Sequence, residues 1–166
     1  MKNIYCPWRS KYTSKDVFTK EQKNKNEEDC IFCKMIKEDK DEKNCILKRN
    51  KNSFVMLNTY PYNAGHLMIL PYVHKSELSD LSPETRAEII EEVNSCVEAL
   101  KKSLNPDGFN IGINLGKDSG AGIPSHLHVH IVPRWQGDTN FMPVIAETKQ
   151  ISFDLKEIYK KIKAEL

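Results

Sequence analysis

The sequence predicts an α+β fold, in which a mainly antiparallel five-stranded sheet packs against one long helix and a C-terminal helix. Three observations predict it. Three short strand-like segments come first, a long stretch with helical periodicity follows, and two more strand-like segments come after that stretch. Strands that lie on both sides of a single helix, rather than alternating with helices, favour an antiparallel sheet with helices packed on it.

Five apolar segments have the length and composition of strands. A short apolar knuckle from Cys30 to Ile36 and a charged turn from Lys37 to Asn44 precede the first of them. We predict the strands near residues 45–48, 53–58, 65–71, 109–115 and 127–133.

The most regular helical pattern begins after Ser82, which suits an N-cap, because Pro83 then occupies the first helical position. The sequence Asn-Pro-Asp-Gly at 105–108 ends this helix. Its apolar stripe, at spacings of three and four, consists of Ile89, Ile90, Val93, Val97, Leu100 and Leu104. A final amphipathic helix is predicted from Phe153, Leu155, Ile158, Ile162 and Leu166.

The overall composition excludes several classes of protein. A length of 166 residues with 39% apolar residues corresponds to one domain of a soluble protein. The 25 basic and 23 acidic residues are interspersed, so the large basic field of a nucleic-acid binder is absent from the sequence. No segment approaches the roughly 18 consecutive apolar residues of a membrane span, and residues 1–13 lack the apolar run of a secretory signal. We therefore expect a cytoplasmic protein.

Three of the five histidines lie at alternate positions in the segment 126–132, His-Leu-His-Val-His-Ile-Val. On a strand these imidazoles share one face, while Leu127, Val129 and Ile131 pack on the other. One metal ion accounts for at most two of them, because same-face residues lie roughly 6.6 Å apart and zinc–nitrogen bonds measure about 2.1 Å. The second interpretation is a nucleophilic imidazole whose other nitrogen is held by an acceptor. The third is a strand whose histidines are satisfied by their neighbours.

An odd count of five cysteines favours metal binding or reduced thiols over a disulfide framework. Cys30 and Cys33 form a C-x-x-C pair, which can be redox-active, half of a tetrahedral zinc site, or two reduced thiols without a metal. Cys6, Cys45 and Cys96 are expected to be ordinary buried or surface thiols.

The segment 116–122, Gly-Lys-Asp-Ser-Gly-Ala-Gly, runs directly into the histidine-containing strand. Glycines let backbone N–H groups approach an anion closely, so this loop is a candidate phosphate cradle as well as a simple turn. If the preceding strand is regular, Asn114 faces the same side as Asn110, with room left by Gly112. Asn114 is therefore our candidate for a phosphate contact.

Taken together, the motifs resemble those of the histidine-triad (HIT) superfamily of nucleotide-binding hydrolases and transferases. The segment 126–135 resembles the family's triad motif, and 53–58 and 65–71 resemble its two central strands. The segment 110–116 resembles the strand before its active-site loop. Together these motifs, in the order and spacing of the family, cover about residues 30–145.

Two further segments are similar to a bacterial diadenosine polyphosphate phosphorylase-like branch of that superfamily. They are 135–143, Trp-Gln-Gly-Asp-Thr-Asn-Phe-Met-Pro, and 6–9, Cys-Pro-Trp-Arg. Residues 13–29 are polar and lysine-rich, so we expect 1–29 to be a partly mobile N-terminal extension. The resemblance implies a histidine-triad nucleotide-binding domain at 30–145, which leaves a C-terminal tail and helix at 146–166. It also implies a homodimer.

For the reaction, the resemblance implies that His128 attacks the α-phosphorus of a nucleotide and forms a nucleotidyl-histidine. A neutral imidazole is available for this near pH 7, because its unperturbed pKa is about 6.5. The resemblance implies that His130 faces the phosphate and that His126 supports the nucleophile's tautomer through its backbone carbonyl. His66 matches a histidine that buttresses this strand, although a satisfied core histidine explains it equally well.

For the nucleotide, the resemblance implies that Asn58 hydrogen-bonds the ribose, where a turn asparagine is the alternative. Ile31, Phe32 and Ile36 are candidate walls of the base pocket, where core residues are the alternative.

The phosphate cradle is expected to include Gly120 and Gly122. Many family members carry a polar residue where this chain has Gly122. Ser119, Ser125 or Lys117, or backbone amides, are the candidate substitutes for its contact.

For the metal, the resemblance implies a closed, structural zinc site formed by Cys30, Cys33, His74 and His126. The leading hypothesis for function is the cleavage of a diadenosine polyphosphate through a His128 adenylate, by phosphate or by water. The alternatives are an adenosine phosphoramidase and a zinc-stabilised nucleotide-binding regulatory module with little turnover.

Overall fold

The computed structural model describes residues 26–38, 40–142, 145 and 153–166. A five-stranded sheet in the order β1-β2-β3-β5-β4 forms the centre, and all neighbouring strands are antiparallel. The strands are β1 (Ile46–Arg49), β2 (Ser53–Leu57), β3 (Leu67–Pro71), β4 (Gly108–Ile113) and β5 (Val129–Arg134). The α+β class and the antiparallel sheet predicted from the sequence are confirmed.

The α-helices are α1 (Ile31–Lys37), α2 (Pro83–Leu104) and α3 (Leu155–Lys163). α2 begins where the sequence predicted, because the Ser82 side chain accepts a hydrogen bond from the Thr85 backbone N–H. It ends at Asn105, which adopts the left-handed conformation that closes many helices. The predicted apolar knuckle at 30–36 is a short helix, α1.

The two faces of the sheet carry different cores. One face is covered by α2 and α3, and its core includes Leu127, Val129 and Ile131. The opposite face carries a smaller core under α1, with Phe32, Met56 and Met68 among its members. Because neighbouring residues of a strand point to opposite faces, the triad histidines lie on the face that α2 does not cover.

Gly65 allows β3 to start directly against the end of α2. Its φ of +70° lies in the left-handed region, and a Cβ at this position would lie 2.5 Å from Leu104 Cδ1. Any side chain here would therefore strain the turn and collide with the helix.

The predicted strand bounds need three corrections. β5 begins at Val129 rather than 127, because the Leu127 N–H donates to the Lys75 carbonyl, outside the sheet (2.7 Å). β3 begins at Leu67 rather than 65, since the His66 N–H closes a turn onto Asn63. β4 ends at Ile113, two residues earlier than predicted.

Within the described ranges, no helix is both long and apolar enough to span a membrane. The segment 6–9 and residue 143 of the segment 135–143 lie outside the described residues, as do the rest of 1–25 and residues 39, 144 and 146–152.

Candidate functional site

The site lies on the sheet face beside α1, where the histidines of the triad follow one another along the chain. The rings of His126 and His128 both lie 5.7 Å from the ring of Phe32 on α1. The rings of His128 and His130 lie 4.7 Å apart, nearly perpendicular to each other. The alternation predicted from the sequence thus places the three imidazoles in one row.

His128 is held in a defined tautomer. Its Nδ1 lies 2.8 Å from the backbone carbonyl oxygen of His126, so Nδ1 carries the proton and donates it. The lone pair of the neutral ring is therefore on Nε2. Burial lowers the pKa of His128, which keeps the ring neutral near pH 7. This is the form that a nucleophilic imidazole requires.

Two consecutive hydrogen bonds, from the Tyr62 backbone to His66 and from His66 to His130, fix the tautomers of both histidines. The Tyr62 backbone N–H donates to His66 Nδ1 (3.1 Å), so the proton of His66 is on Nε2. That Nε2–H donates to His130 Nδ1 (2.9 Å), which places the proton of His130 on its own Nε2. Among the described residues, His130 Nε2 is buried without a hydrogen-bond partner. A buried, unpaired N–H donor beside a nucleophile is suited to an anionic ligand.

Burial keeps the rings of His66 and His130 neutral. Burial, with the charge that His130 and His128 would carry, lowers the pKa of His66 to about 3. Burial, with the charge of His128, lowers the pKa of His130 to about 4. Both rings are therefore neutral at physiological pH, and the direction of their hydrogen bonds is the one described above.

The four predicted metal ligands come together, with their ligand atoms all within 4.8 Å of one another. Cys33 Sγ lies 3.4 Å from His74 Nδ1 and 3.5 Å from His126 Nδ1, and Cys30 Sγ lies 3.5 Å from His126 Nδ1. A tetrahedral zinc ion with ordinary bond lengths separates its sulfur and nitrogen ligands by about 3.6 Å. These three sulfur–nitrogen separations thus match the spacing of ligands around a tetrahedral zinc ion.

The orientation of His126 also fits a metal at this cluster. His126 Nε2 lies 2.9 Å from the Pro71 carbonyl and donates to it, which leaves the Nδ1 lone pair directed at the thiols. Burial and the neighbouring Cys30 raise the pKa of Cys33 to about 12, so without a cation beside it this thiol stays protonated at physiological pH. The cluster can therefore bind a divalent metal.

The predicted nucleotide-binding residues lie around the same face. Asn58 directly follows β2. Its Oδ1 accepts a hydrogen bond from the Tyr60 N–H (2.9 Å), which is the contact expected of a turn asparagine. Phe32, a residue of α1, is buried, whereas the neighbouring Ile31 is half exposed. The side chains of Asn58 and His66 are also within hydrogen-bonding distance, at 3.3 Å.

The glycine-containing loop connects β4 to the triad. Gly120 adopts a left-handed φ of +88°, which favours glycine, and a Cβ at Gly122 would meet no atom within 4 Å. Ser125 is partly buried, and the Ser119 hydroxyl donates to the Gly116 carbonyl (2.7 Å). The side chain of Lys117 lies outside what the structure describes. Both glycines therefore have open space in the direction of a Cβ.

A cavity of about 470 Å³ lies beside His130 and extends from Asn114 to Arg134. Gly112 pairs with His130 across β4 and β5, so the cavity follows the triad face of the sheet. A larger cavity of about 830 Å³, beside α3, is lined by none of the predicted site residues.

Sequence reasoning missed the polar cluster at the far end of this cavity. Arg134 forms an ion pair with Asp138 and donates to Asn110 Oδ1 (2.6 Å), while Asn63 donates to Asp138 (2.6 Å). The hydrogen bonds from Arg134 hold the pKa of Asp138 well below its usual range. The sequence signal that was available for this cluster is an Arg at the end of the triad strand followed four residues later by an Asp.

Comparisons with known proteins agree with this architecture. The family model for the HIT domain matches residues 39–137. The AP-4-A phosphorylase of Mycobacterium tuberculosis is 34% identical over 165 residues, which are 99% of this chain and 84% of the relative. The asymmetrical bis(5'-nucleosyl)-tetraphosphatase of Schizosaccharomyces pombe is 32% identical over 93 residues, 56% of this chain and 50% of the relative.

A solved structure with the same fold also contains a metal. The Zn-bound histidine triad family protein from Mycobacterium smegmatis superposes with a TM-score of 0.68 at 27% identity, and the alignment covers 84% of this chain and 94% of that one.

Proposed function

The chain belongs to the HIT domain family, and we propose on that basis that it cleaves a diadenosine polyphosphate through a covalent nucleotidyl-histidine at His128. The observation that supports this proposal most directly is the tautomer of His128, whose Nδ1 proton is held by the His126 carbonyl. Nε2 then has a free lone pair without any base to remove a proton.

The other histidines are assigned supporting roles. His130 would donate its unpaired Nε2–H to a phosphate oxygen, where charge increases in the transition state. His66 positions His130 and fixes its tautomer. His126 positions His128 through its backbone carbonyl.

The nucleotide is proposed to lie across the end of the sheet next to α1. Asn58 would contact the ribose, with the base between Ile31 and Phe32. Asn114 lies where β4 ends, beside the triad, and would contact the phosphate together with the cradle at Gly120, Gly122 and Ser125. The open space at the Cβ positions of Gly120 and Gly122 supports the role of the cradle, because an anion can then approach the chain closely there.

Two similar relatives differ in the acceptor that their names imply, a phosphorylase and a tetraphosphatase. We propose phosphorolysis, because the similarity to the phosphorylase runs along 99% of this chain and that to the tetraphosphatase along 56%.

We further propose that zinc binds Cys30, Cys33, His74 and His126 as a structural ion. A closed set of two thiolates and two imidazoles has no open position for substrate, so the ion would supply cross-linking rather than chemistry. It would join α1 to the segment before β5. The sulfur–nitrogen distances of 3.4–3.5 Å among these side chains support this assignment.

The homodimer also remains a proposal. β4 is an edge strand, and its Ile111 side chain is 49% exposed. Ile90 on α2 is 64% exposed. An unpaired apolar edge is usually covered in folded proteins, and a second copy of the chain would cover it. Light scattering on the purified protein measures the mass directly.

The experiment for the reaction is a product assay on diadenosine tetraphosphate, with and without phosphate. Phosphorolysis yields ATP and ADP only when phosphate is present, whereas asymmetric hydrolysis yields ATP and AMP in both cases. The expected adenylated protein is trapped by rapid alkaline quench and detected by intact mass. A folded His128→Ala variant that still turns over substrate, or still gains an adenylyl group, contradicts the proposal.

A further inference from the structure

We propose that the cavity beside His130 binds the leaving nucleotide of the substrate and afterwards the acceptor. This inference rests on the proposed function, because it names the part of the site that the second half of a dinucleoside polyphosphate would occupy. The cavity of about 470 Å³ is within the usual size of small-molecule sites.

The position of the cavity relative to His128 is the first argument. Phe32 on α1 lies on the side of His126 and His128, with its ring 5.7 Å from both imidazoles. On the other side, His130 and Gly112 line open space. A substrate whose α-phosphorus lies at His128 would therefore find room for a leaving group along β5, towards Arg134.

The length and chemistry of the cavity are the second argument. On β5 the lining of the cavity runs from His130 to Arg134, four residues further on, which corresponds to about 13 Å along a strand. The first part passes the unpaired His130 Nε2–H, which suits phosphate oxygens. At the far end the charge of Arg134 is balanced by Asp138, and amide groups line the wall. The half-exposed Tyr62 ring lines the cavity nearer to His130, with the two ring centroids 6.0 Å apart. Neutral polar groups with an aromatic ring suit a nucleoside better than a phosphate.

The chemistry explains why one cavity serves both steps. His128 Nε2 forms a bond to the α-phosphorus while the bond to the bridging oxygen breaks, and the electron pair leaves with the nucleoside polyphosphate. In the second step the acceptor oxygen attacks phosphorus, the P–N bond breaks, and its electron pair returns to Nε2. The acceptor's proton is released to solvent, and Nδ1 keeps its proton throughout. Because each displacement is in line, the acceptor enters where the leaving group departed.

The test is to fill the cavity by substitution at residues that line it and do not belong to the triad. A Cβ at Gly112 meets no atom within 4 Å, so Gly112→Leu can place its side chain in the cavity. Because Gly112 pairs with His130, the second substrate described below reports any disturbance of that ring. Thr139→Trp fills it from the opposite wall if the first variant does not fold. Gly108→Leu is the matched control, since Gly108 is on the same strand, has equally open surroundings and does not line the cavity.

Two substrates separate the leaving-group site from the nucleotide site. They are diadenosine tetraphosphate and adenosine 5'-phosphorofluoridate, whose leaving group is fluoride. We expect Gly112→Leu to lower kcat/KM at least tenfold for the first and less than threefold for the second, with Gly108→Leu unchanged on both. Equal losses on both substrates, or no loss on either, overturn the inference while the proposed function stands. A wild-type protein that turns over neither substrate overturns both.

Discussion

Replacing His130 by asparagine separates the roles of its two ring nitrogens, the hydrogen-bonded Nδ1 and the unpaired Nε2. Asparagine can place its side-chain oxygen near the position of Nδ1, so it can still accept the His66 Nε2–H that now bonds at 2.9 Å. It has no group at the position of Nε2. The variant therefore removes the unpaired donor beside His128 and retains the rest of the chain of hydrogen bonds.

The expected effects on stability and on activity are different in size. An unsatisfied buried donor costs about 1–3 kcal/mol, and removing it offsets the lost burial of the ring. We expect the free energy of unfolding to change by no more than about 1 kcal/mol. Loss of one donor to a developing oxyanion lowers kcat about 100- to 1,000-fold, which corresponds to roughly 2.7–4 kcal/mol.

The assay combines urea denaturation with steady-state kinetics on diadenosine tetraphosphate. His130→Gln is the matched variant, because glutamine can place an N–H donor near Nε2 and should retain more of kcat than asparagine. A loss of kcat smaller than tenfold in a stably folded His130→Asn protein refutes the role of this donor, as does an equal loss in both variants.

Three further outcomes are expected. Cys33→Ser should lower the zinc content from about one ion per chain to near zero by mass spectrometry, whereas Cys45→Ser, outside the cluster, should not. Because burial lowers the pKa of His66 from 6.5 to about 3, its contribution to stability is lost as pH falls below 6.5. The wild type should therefore lose about 1 kcal/mol more than His66→Asn between pH 6 and 5 in urea titrations. Glu88→Ala should cost about 2–4 kcal/mol of unfolding free energy, because its carboxylate accepts hydrogen bonds from the start of β2, and the exposed Glu91→Ala should cost under about 0.5 kcal/mol. Equal unfolding energies for the two glutamate variants would contradict that assignment.

Local patterns predicted the elements whose stabilising contacts are themselves local. The start of α2 followed from Ser82 and Pro83, because an N-cap involves residues three apart. The alternation of the triad followed from the geometry of an extended chain. The convergence of Cys30 and Cys33 with two distant histidines did not follow from such patterns, and it required the resemblance to a family.

The elements that the sequence did not predict depend on long-range contacts. β5 starts later than predicted, because Leu127 bonds to Lys75, which is far away in the sequence. The cluster of Arg134 and Asp138 is completed by Asn63, 75 residues before Asp138. The direction of the hydrogen bond between His66 and His130 depends on a backbone N–H at Tyr62. None of these partners is adjacent in sequence, so no local period indicates them.

His126 contributes to two parts of the site through different atoms. Its side chain belongs to the Cys/His cluster, and its main-chain carbonyl holds the nucleophile. Any amino acid provides that carbonyl, and the Leu127 N–H of the same peptide group is held by the Lys75 carbonyl. A ligating side chain at this position would in addition join that peptide group to α1. A replacement of His126 therefore tests both parts of the site at once, since it removes a side chain of the cluster beside the atom that sets the protonation of His128.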